Sequence, residues 1–468
     1  MTAVVTYHSR SGRGVLAAAT LGSGMALLDG TVVNVALRRI GDDLDATLAE
    51  LQWVTNGYML ALASLILIGG ALGDRFGRRR VFTTGVVWFA VASFVCGIAQ
   101  SPGQLIGARV LQGVGAAMLT PGSLAMIQGA FRPQDRGRAI GAWAGLGGIA
   151  AAVGPFLGGW LVQYASWRWV FFINLPLAFV TVLIATTYVP ETRDVEAHRG
   201  FDVVGAGLGV LGLAGFTFAL IEAESLAPWI VGLSAAIGVA AAAAFVLVER
   251  RGTTAMMPTH LFTVRQFTAS NAMTLLVYAA MGGVLFFLVL QLQTVSGYGP
   301  LKAGISTLPI TVVMLFLASR GGDLAARIGP RLPMAAGPVV CAVGIALLSM
   351  VDEHVNYWVD VFPGITVFAL GLSLLVAPLT STVLAAAPDR HAGIASGINN
   401  AVARGGSLLA VAALPAMVGL SGNDYEHAAV FSAGYQTAMW ICVLMLALGG
   451  IVSGILIRNP GAELSDRG

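Results

Sequence analysis

Charge is what this chain has least of: 10% of its 468 residues are Asp, Glu, Lys or Arg, against 57% that are hydrophobic. So little polarity cannot cover a water-soluble protein of this length, and the solvent around most of the chain is therefore lipid. Cysteine is nearly absent as well. Cys96, Cys341 and Cys442 stand singly inside apolar runs with no ligand spacing, which argues against a disulfide framework or a metal centre and leaves them as packing residues. The 6 histidines fall in connections or tails, so no histidine proton relay is indicated. Period-two strands of a lipid-facing barrel are missing too, since stretches such as 60–71 stay apolar on every face. No nucleophile and base pair suggests an enzyme, no motif calls for a cofactor, and no soluble output domain suggests a sensor. The net charge of +3 is spread over connections, so nucleic acid is not an expected partner.

What is present is a series of apolar runs, each about the 20 residues that a helix needs to cross a bilayer. They lie near 15–37, 51–73, 81–99, 105–128, 138–163, 169–189, 203–221, 228–248, 269–292, 302–318, 333–350, 358–386, 394–420 and 433–457. The first is too long for a signal core and lacks a clear small-residue cleavage site, so it is expected to remain as a span. An even count puts both termini on one side. Arginines such as Arg10, Arg13, Arg80, Arg138, Arg199, Arg265, Arg390 and Arg467 gather on that side, with only Arg38, Arg39, Arg168 and Lys302 opposite, so both termini are expected in the cytoplasm.

The chain also repeats itself. Gly69-Gly70-Ala71-Leu72-Gly73-Asp74-Arg75-Phe76-Gly77-Arg78-Arg79 aligns with Gly321-Gly322-Asp323-Leu324-Ala325-Ala326-Arg327-Ile328-Gly329-Pro330-Arg331, after the second and tenth spans. Asp135-Arg136 and Asp389-Arg390 recur at nearly the same offset. An offset of eight spans implies two six-helix halves with two helices inserted between them, over 1–190, 191–265 and 266–468. Duplicated halves with a site between them are a transporter plan.

On these motifs the sequence resembles the major facilitator superfamily, in its fourteen-helix drug:proton antiporter branch. The resemblance covers nearly the whole chain. It rests on Leu28-Asp29-Gly30-Thr31-Val32-Val33-Asn34 in the first span, Gln52-Trp53-Val54 opening the second, and the arginine-rich loop from Gly70 to Arg80. Arg109 to Gln112-Gly113 in the fourth span, Gly154-Pro155-Phe156-Leu157-Gly158-Gly159 in the fifth, and Ser166-Trp167-Arg168-Trp169 running to Asn174-Leu175-Pro176 add to it. One departure is Ala150, where the family's antiporter motif has glycine four residues before Gly154. The implied fold is an all-α polytopic membrane protein of two six-helix bundles plus two inserted helices. The implied activity is proton-coupled efflux of small amphipathic compounds, such as drugs, antibiotics or toxic cations, across a bacterial cytoplasmic membrane. Its partners are then the small-molecule substrate, protons and the bilayer, with no cofactor, and the carrier is expected to be a monomer. A dedicated exporter of one metabolite or lipid, and an uncoupled facilitator, stay open beside it.

Asp29 is the acid deepest in an early span, and membrane-embedded acids are costly and mark proton pathways unless a kink or partner accommodates them. Counting about 1.5 Å per residue, Asp29 and Arg109 lie roughly 12 and 6 Å below the outer surface, a gap an arginine can bridge if it does not snorkel outward instead. The resemblance associates the Asp29 position with proton coupling and makes the first and fourth helices neighbours. In the loop after the second span, Asp74, Arg75 and Arg78, with Asp135 and Arg136 in the next loop, either serve as topology signals or form a latch. The latch would hold Asp74 to the start of the thirteenth span after Asp389 and Arg390. Gly154, Pro155, Gly158 and Gly159 either let helices pack closely or form a hinge, and the resemblance reads them as a mark of export. A substrate cavity is expected to draw on Asn34, Trp53, Tyr58, Gln112, Trp143, Asn271, Tyr278, Phe286, Gln291, Asn399 and Arg404. Aromatic faces and amides, with no deep acid in the second half, favour monocations or neutral compounds over dications.

Overall fold

Apolar runs tell where lipid lies, and caps tell where helices stop. The computed structural model describes residues 5–193, 202–251, 257, 259–388 and 392–459. Arg199, Asp389, Arg390 and Arg467 lie outside them. The chain is an all-α membrane protein whose described residues form no strand, only one bridge between Val5 and Phe131. The long helices are α1 (Arg10–Leu44), α2 (Leu48–Phe76), α3 (Arg78–Ile98), α4 (Pro102–Ala130), α5 (Pro133–Tyr164), α6 (Trp169–Tyr188) and α7 (Val203–Ile221). There follow α8 (Pro228–Arg251), α9 (Arg265–Thr294), α10 (Pro300–Ile328), α11 (Arg331–Leu348), α12 (Tyr357–Ala385), α13 (Ala392–Met417) and α14 (Ala428–Leu456).

Several helices overrun the expected spans, because polar residues continue them until a cap ends them. The Ser9 side chain accepts from the Gly12 amide at the start of α1, and Thr47 with Glu50 closes a capping box on α2. The turns α2–α3 and α10–α11 each pivot on one glycine, Gly77 at φ 110° and Gly329 at φ 87°, a region that other residues rarely enter. Of the fourteen expected spans, 13 are long and apolar enough to cross a bilayer. The remaining helix, α13, has 26 residues but carries Asn399, Asn400 and Arg404, which reduce its apolarity.

The repeat extends into packing. In the first half α1 packs on α4, α5 and α6, α2 and α3 on α4, and α3 on α6; in the last half α9 packs on α12, α13 and α14, α10 and α11 on α12, and α11 on α14. Equivalent glycines make equivalent close approaches, Gly69 to the Ala117 backbone and Gly321 to the Ser373 backbone, where a Cβ would collide. The caps repeat as well. The Arg79 amide donates to Glu191 Oε1 at 3.0 Å after α6, and the Arg331 amide donates to Asn459 Oδ1 at 3.1 Å after α14. Between the halves α7 and α8 pair with each other, and α7 also packs on α2 and α13.

Arg265 bonds to Ile455 and Gln293 to Val35, so α1 and α9 begin, and α14 ends, on one face of the molecule. We term it the terminal face and its opposite the far face. Hydrogen bonds that tie the first six helices to the last six lie toward the far face: Gln52 Nε2 to Val411 O at 2.7 Å, Arg38 Nη1 to Tyr425 O at 3.3 Å, Tyr425 Oη to Ala46 O at 2.7 Å, and the Leu301 amide to Gln163 Oε1 at 3.2 Å. Burial, with Glu426 adding to it, raises the Tyr425 hydroxyl to about 12, so it stays a neutral donor in this clasp. Toward the terminal face, Gly137, Gly141, Gly145 and Gly148 on α5 have open space where a Cβ would be. The two halves are tied at the far face.

Candidate functional site

Five helices of the first half, α1 to α4 and α6, contribute to one network around a carboxylate. Asp29 has no solvent exposure and Arg109 has 1%, and Arg109 Nη1 donates to Asp29 Oδ2 at 2.5 Å. The same nitrogen reaches Gln112 Oε1 at 2.7 Å, while Arg109 Nε donates to Val54 O at 3.0 Å. Gln112 Nε2 returns a bond to Asp29 Oδ1 at 2.8 Å, so one α4 turn grips both carboxylate oxygens. Asn174 Nδ2 approaches Asp29 Oδ1 at 3.4 Å and donates to Ser93 Oγ at 3.0 Å. The Arg109 guanidinium lies 4.3 Å over the Tyr58 ring, and Tyr58 Oη donates to Ala26 O at 3.3 Å. A buried ion pair survives only when its remaining donors and acceptors are satisfied, and this network largely does so.

Of the residues expected at the cavity, Tyr58 and Gln112 therefore belong to the network itself. Asn271 and Asn399 meet across α9 and α13, where Asn399 Nδ2 donates to Asn271 Oδ1 at 3.2 Å and to Thr274 Oγ1 at 2.7 Å. Tyr278 and Arg404 are partly buried and within electrostatic reach of each other. Asn34 is partly exposed on α1, and Trp143 Nε1 donates to Ser23 Oγ at 3.1 Å across α5 and α1. Trp53 instead faces the inserted pair: its Nε1 donates to Glu222 Oε1 at 2.9 Å and its ring meets Phe218. Gln291 Nε2 donates to Val351 O at 2.9 Å at the far end of the second half, and Phe286 is packed in the core.

Among the latch residues, Asp74 accepts from Arg78 within its own turn at 2.9 Å. Asp135 accepts from the Tyr7 amide at 3.1 Å, and Arg136 Nε donates to Phe131 O at 3.1 Å, so both anchor the chain before α1 and α5. The expected receptor is the start of α13 at Ala392; Asp389 and Arg390 before it are outside the described residues. The antiporter-motif glycines are contact points here. Gly154 meets Thr31 and Gly158 meets Val32 on α1, while Gly159 lies against Pro300 and Leu301 at the start of α10, across the two halves.

Three functional residues were not singled out from the sequence. Ser93 and Asn174 complete the network, and Glu191 pairs with Arg79 and Arg80 at 3.7 and 3.8 Å. Asn174 had a signal in its place within the Asn174-Leu175-Pro176 motif, and Glu191 in the symmetry of the repeat. Ser93, a lone hydroxyl in an apolar helix, had none.

A sequence model of the Major Facilitator Superfamily matches residues 19–411. The chain is 35% identical to the tetracenomycin C resistance and export protein of Streptomyces glaucescens, over 85% of this chain and 74% of that protein. It is 34% identical to a puromycin resistance protein of Streptomyces alboniger, over 95% of this chain and 91% of that one. Among solved structures, a bacterial homologue of the human lysosomal transporter Spinster superposes with a TM-score of 0.67 at 17% identity, covering 96% of this chain and 97% of the other.

Proposed function

The chain belongs to the major facilitator superfamily, and from that premise we propose that it exports small amphipathic molecules in exchange for protons, moving them from the terminal face to the far face. One observation carries the reading: Asp29 is a fully buried acid at membrane depth, held by a cation and two amides. Its ionised form ties α4 to α1, and its protonated form releases Arg109 from that tie. Two states of one carboxylate then favour two arrangements of the bundle, as alternating access requires. The relatives' resistance and export names support the substrate class and the direction.

In this reading residues 1–190 and 266–468 are the two rocking bundles and 191–265 the inserted pair. All fourteen helices cross, α13 included. Asp74, Arg75 and Arg78 with Asp135 and Arg136 set the terminal-face loops, where Asp74 exchanges Arg78 for the start of α13 when that face closes. Both termini are cytoplasmic. Reporters fused after Arg80, Arg138 or Arg265 are expected to read cytoplasmic and one after Asp424 external; an external signal at Arg265 would overturn this topology.

Everted vesicles with an imposed proton gradient test the function. Uptake of an amphipathic dye that collapses on adding an uncoupler is the expected result. Uptake that ignores the uncoupler would make the chain a facilitator instead.

A further inference from the structure

Arg404 stands midway along α13, partly buried, and it makes no hydrogen bond or salt bridge among the described residues. Its Nε is buried without a partner. The groups that act on it electrostatically are Tyr58 on α2 and Tyr278 on α9, with no carboxylate among them. The one acid near this level, Asp29, is already matched by Arg109. An unmatched guanidinium at membrane depth is expensive, and such groups face a water-filled cavity or a ligand.

A second orphan lies on the facing helix. Gln52 donates to Val411 O and Ala412 O, which fixes the register of the antiparallel α2–α13 seam. Asn56 follows one turn later on the same stripe of α2, opposite about position 408 and so about one turn from Arg404. Both polar atoms of its side chain are buried without a partner. The seam thus carries an unpaired guanidinium from one half and a buried, unpartnered amide from the other.

We propose that this seam is the binding site for the acidic group of an aromatic substrate, a carboxylate or phenolate, with Arg404 as its charge partner and Asn56 as a second donor. The exported compounds are then amphipathic organic anions, in place of the monocations or neutral compounds expected from the sequence. This rests on the export reading for its direction of travel, not for the binding itself. Guanidinium bonds to carboxylate in forked, charge-assisted geometry, and an amide offers one further donor. A ligand held this way bridges α2 and α13, and so reports occupancy to both halves at once.

Anthraquinone-2-carboxylate and its methyl ester share one ring system, and only the first is charged; the second is larger by a methyl group. Tryptophan quenching of purified protein in detergent is expected to give the carboxylate at least about 10-fold tighter binding than the ester. Arg404→Gln should bring carboxylate affinity down to that of the ester, whose retained binding also shows that the variant is folded; Arg404→Lys should keep part of the preference. Equal affinities in the wild type, no binding of either compound, or a preference that survives Arg404→Gln would overturn the site. Vesicle transport of the same pair separates the two readings. Charge-selective binding without uncoupler-sensitive transport removes proton-driven export and leaves the site, whereas export without charge preference removes the site and leaves export.

Discussion

Asp29→Asn is expected to abolish accumulation against a gradient while leaving equilibration down a substrate gradient intact. The exchange keeps volume and retains an acceptor for Arg109, so the network around Gln112 and Asn174 survives in outline. What is lost is the titration. In the wild type, acidification should weaken substrate binding, since exchange requires that proton and substrate exclude each other. Asp29 has no exposure, so this exclusion is conformational. It runs through release of Arg109 from α1 and displacement of Tyr58, whose ring stacks on that guanidinium. In the variant, binding should no longer vary with pH, and driven accumulation should fall by about 10-fold or more. Counterflow of labelled substrate in proteoliposomes checks the first half and uptake under an acid-outside gradient the second. Full driven export by Asp29→Asn would falsify the coupling role.

Gly159→Leu is expected to jam the far face open. A Cβ at that position would come within 2.6 Å of Leu301 Cα and 2.7 Å of Pro300 O, where α5 meets α10 across the two halves. Backbone cannot yield as a side chain can, so the halves must part there. Overpacking of this kind costs about 1–3 kcal/mol, enough to shift the balance between the two closures roughly 5- to 150-fold. A cysteine at Ala303, fully buried just beyond that contact on α10, should then react faster with an impermeant maleimide from the far side. The three native cysteines are buried and contribute little background. Gly148→Leu, where the added side chain meets open space, is the control and should label like the wild type. If Gly159→Leu labels no faster than that control, the glycine is not part of the far-face closure.

The pairing of Asp29 with Arg109 was legible in the sequence because depth along a transmembrane helix is a matter of counting residues. Facing is another matter. Trp53, Gln291 and Phe286 were assigned to the cavity on chemistry, yet one bonds to the inserted pair, one closes the far end of its own half and one is core packing. Each choice depends on which helix lies alongside, and apolar residues on all sides of a helix erase the periodicity that would reveal it. Glu222, at the end of α7, bonds to Trp53 for the same reason. Ser93 was invisible because a hydroxyl satisfied within a helix and one satisfied between helices look identical in sequence. The duplication, in contrast, was plain in the glycines and arginines of the two loops, since tight turns and close approaches admit few other residues.

α13 bears on how the protein is made. Insertion into a bilayer is decided largely by apolarity at synthesis, and an arginine at a helix centre costs about 2.5–3.5 kcal/mol on scales drawn from translocon insertion. Arg404 with Asn399 and Asn400 places α13 below the apolarity that the other spans reach, although it lies between α9 and α2 in the finished fold. In the fourteen-span reading, its entry into the membrane leans on partners already present. The polarity that equips this helix for a ligand also makes it the segment with the weakest claim of its own to the bilayer.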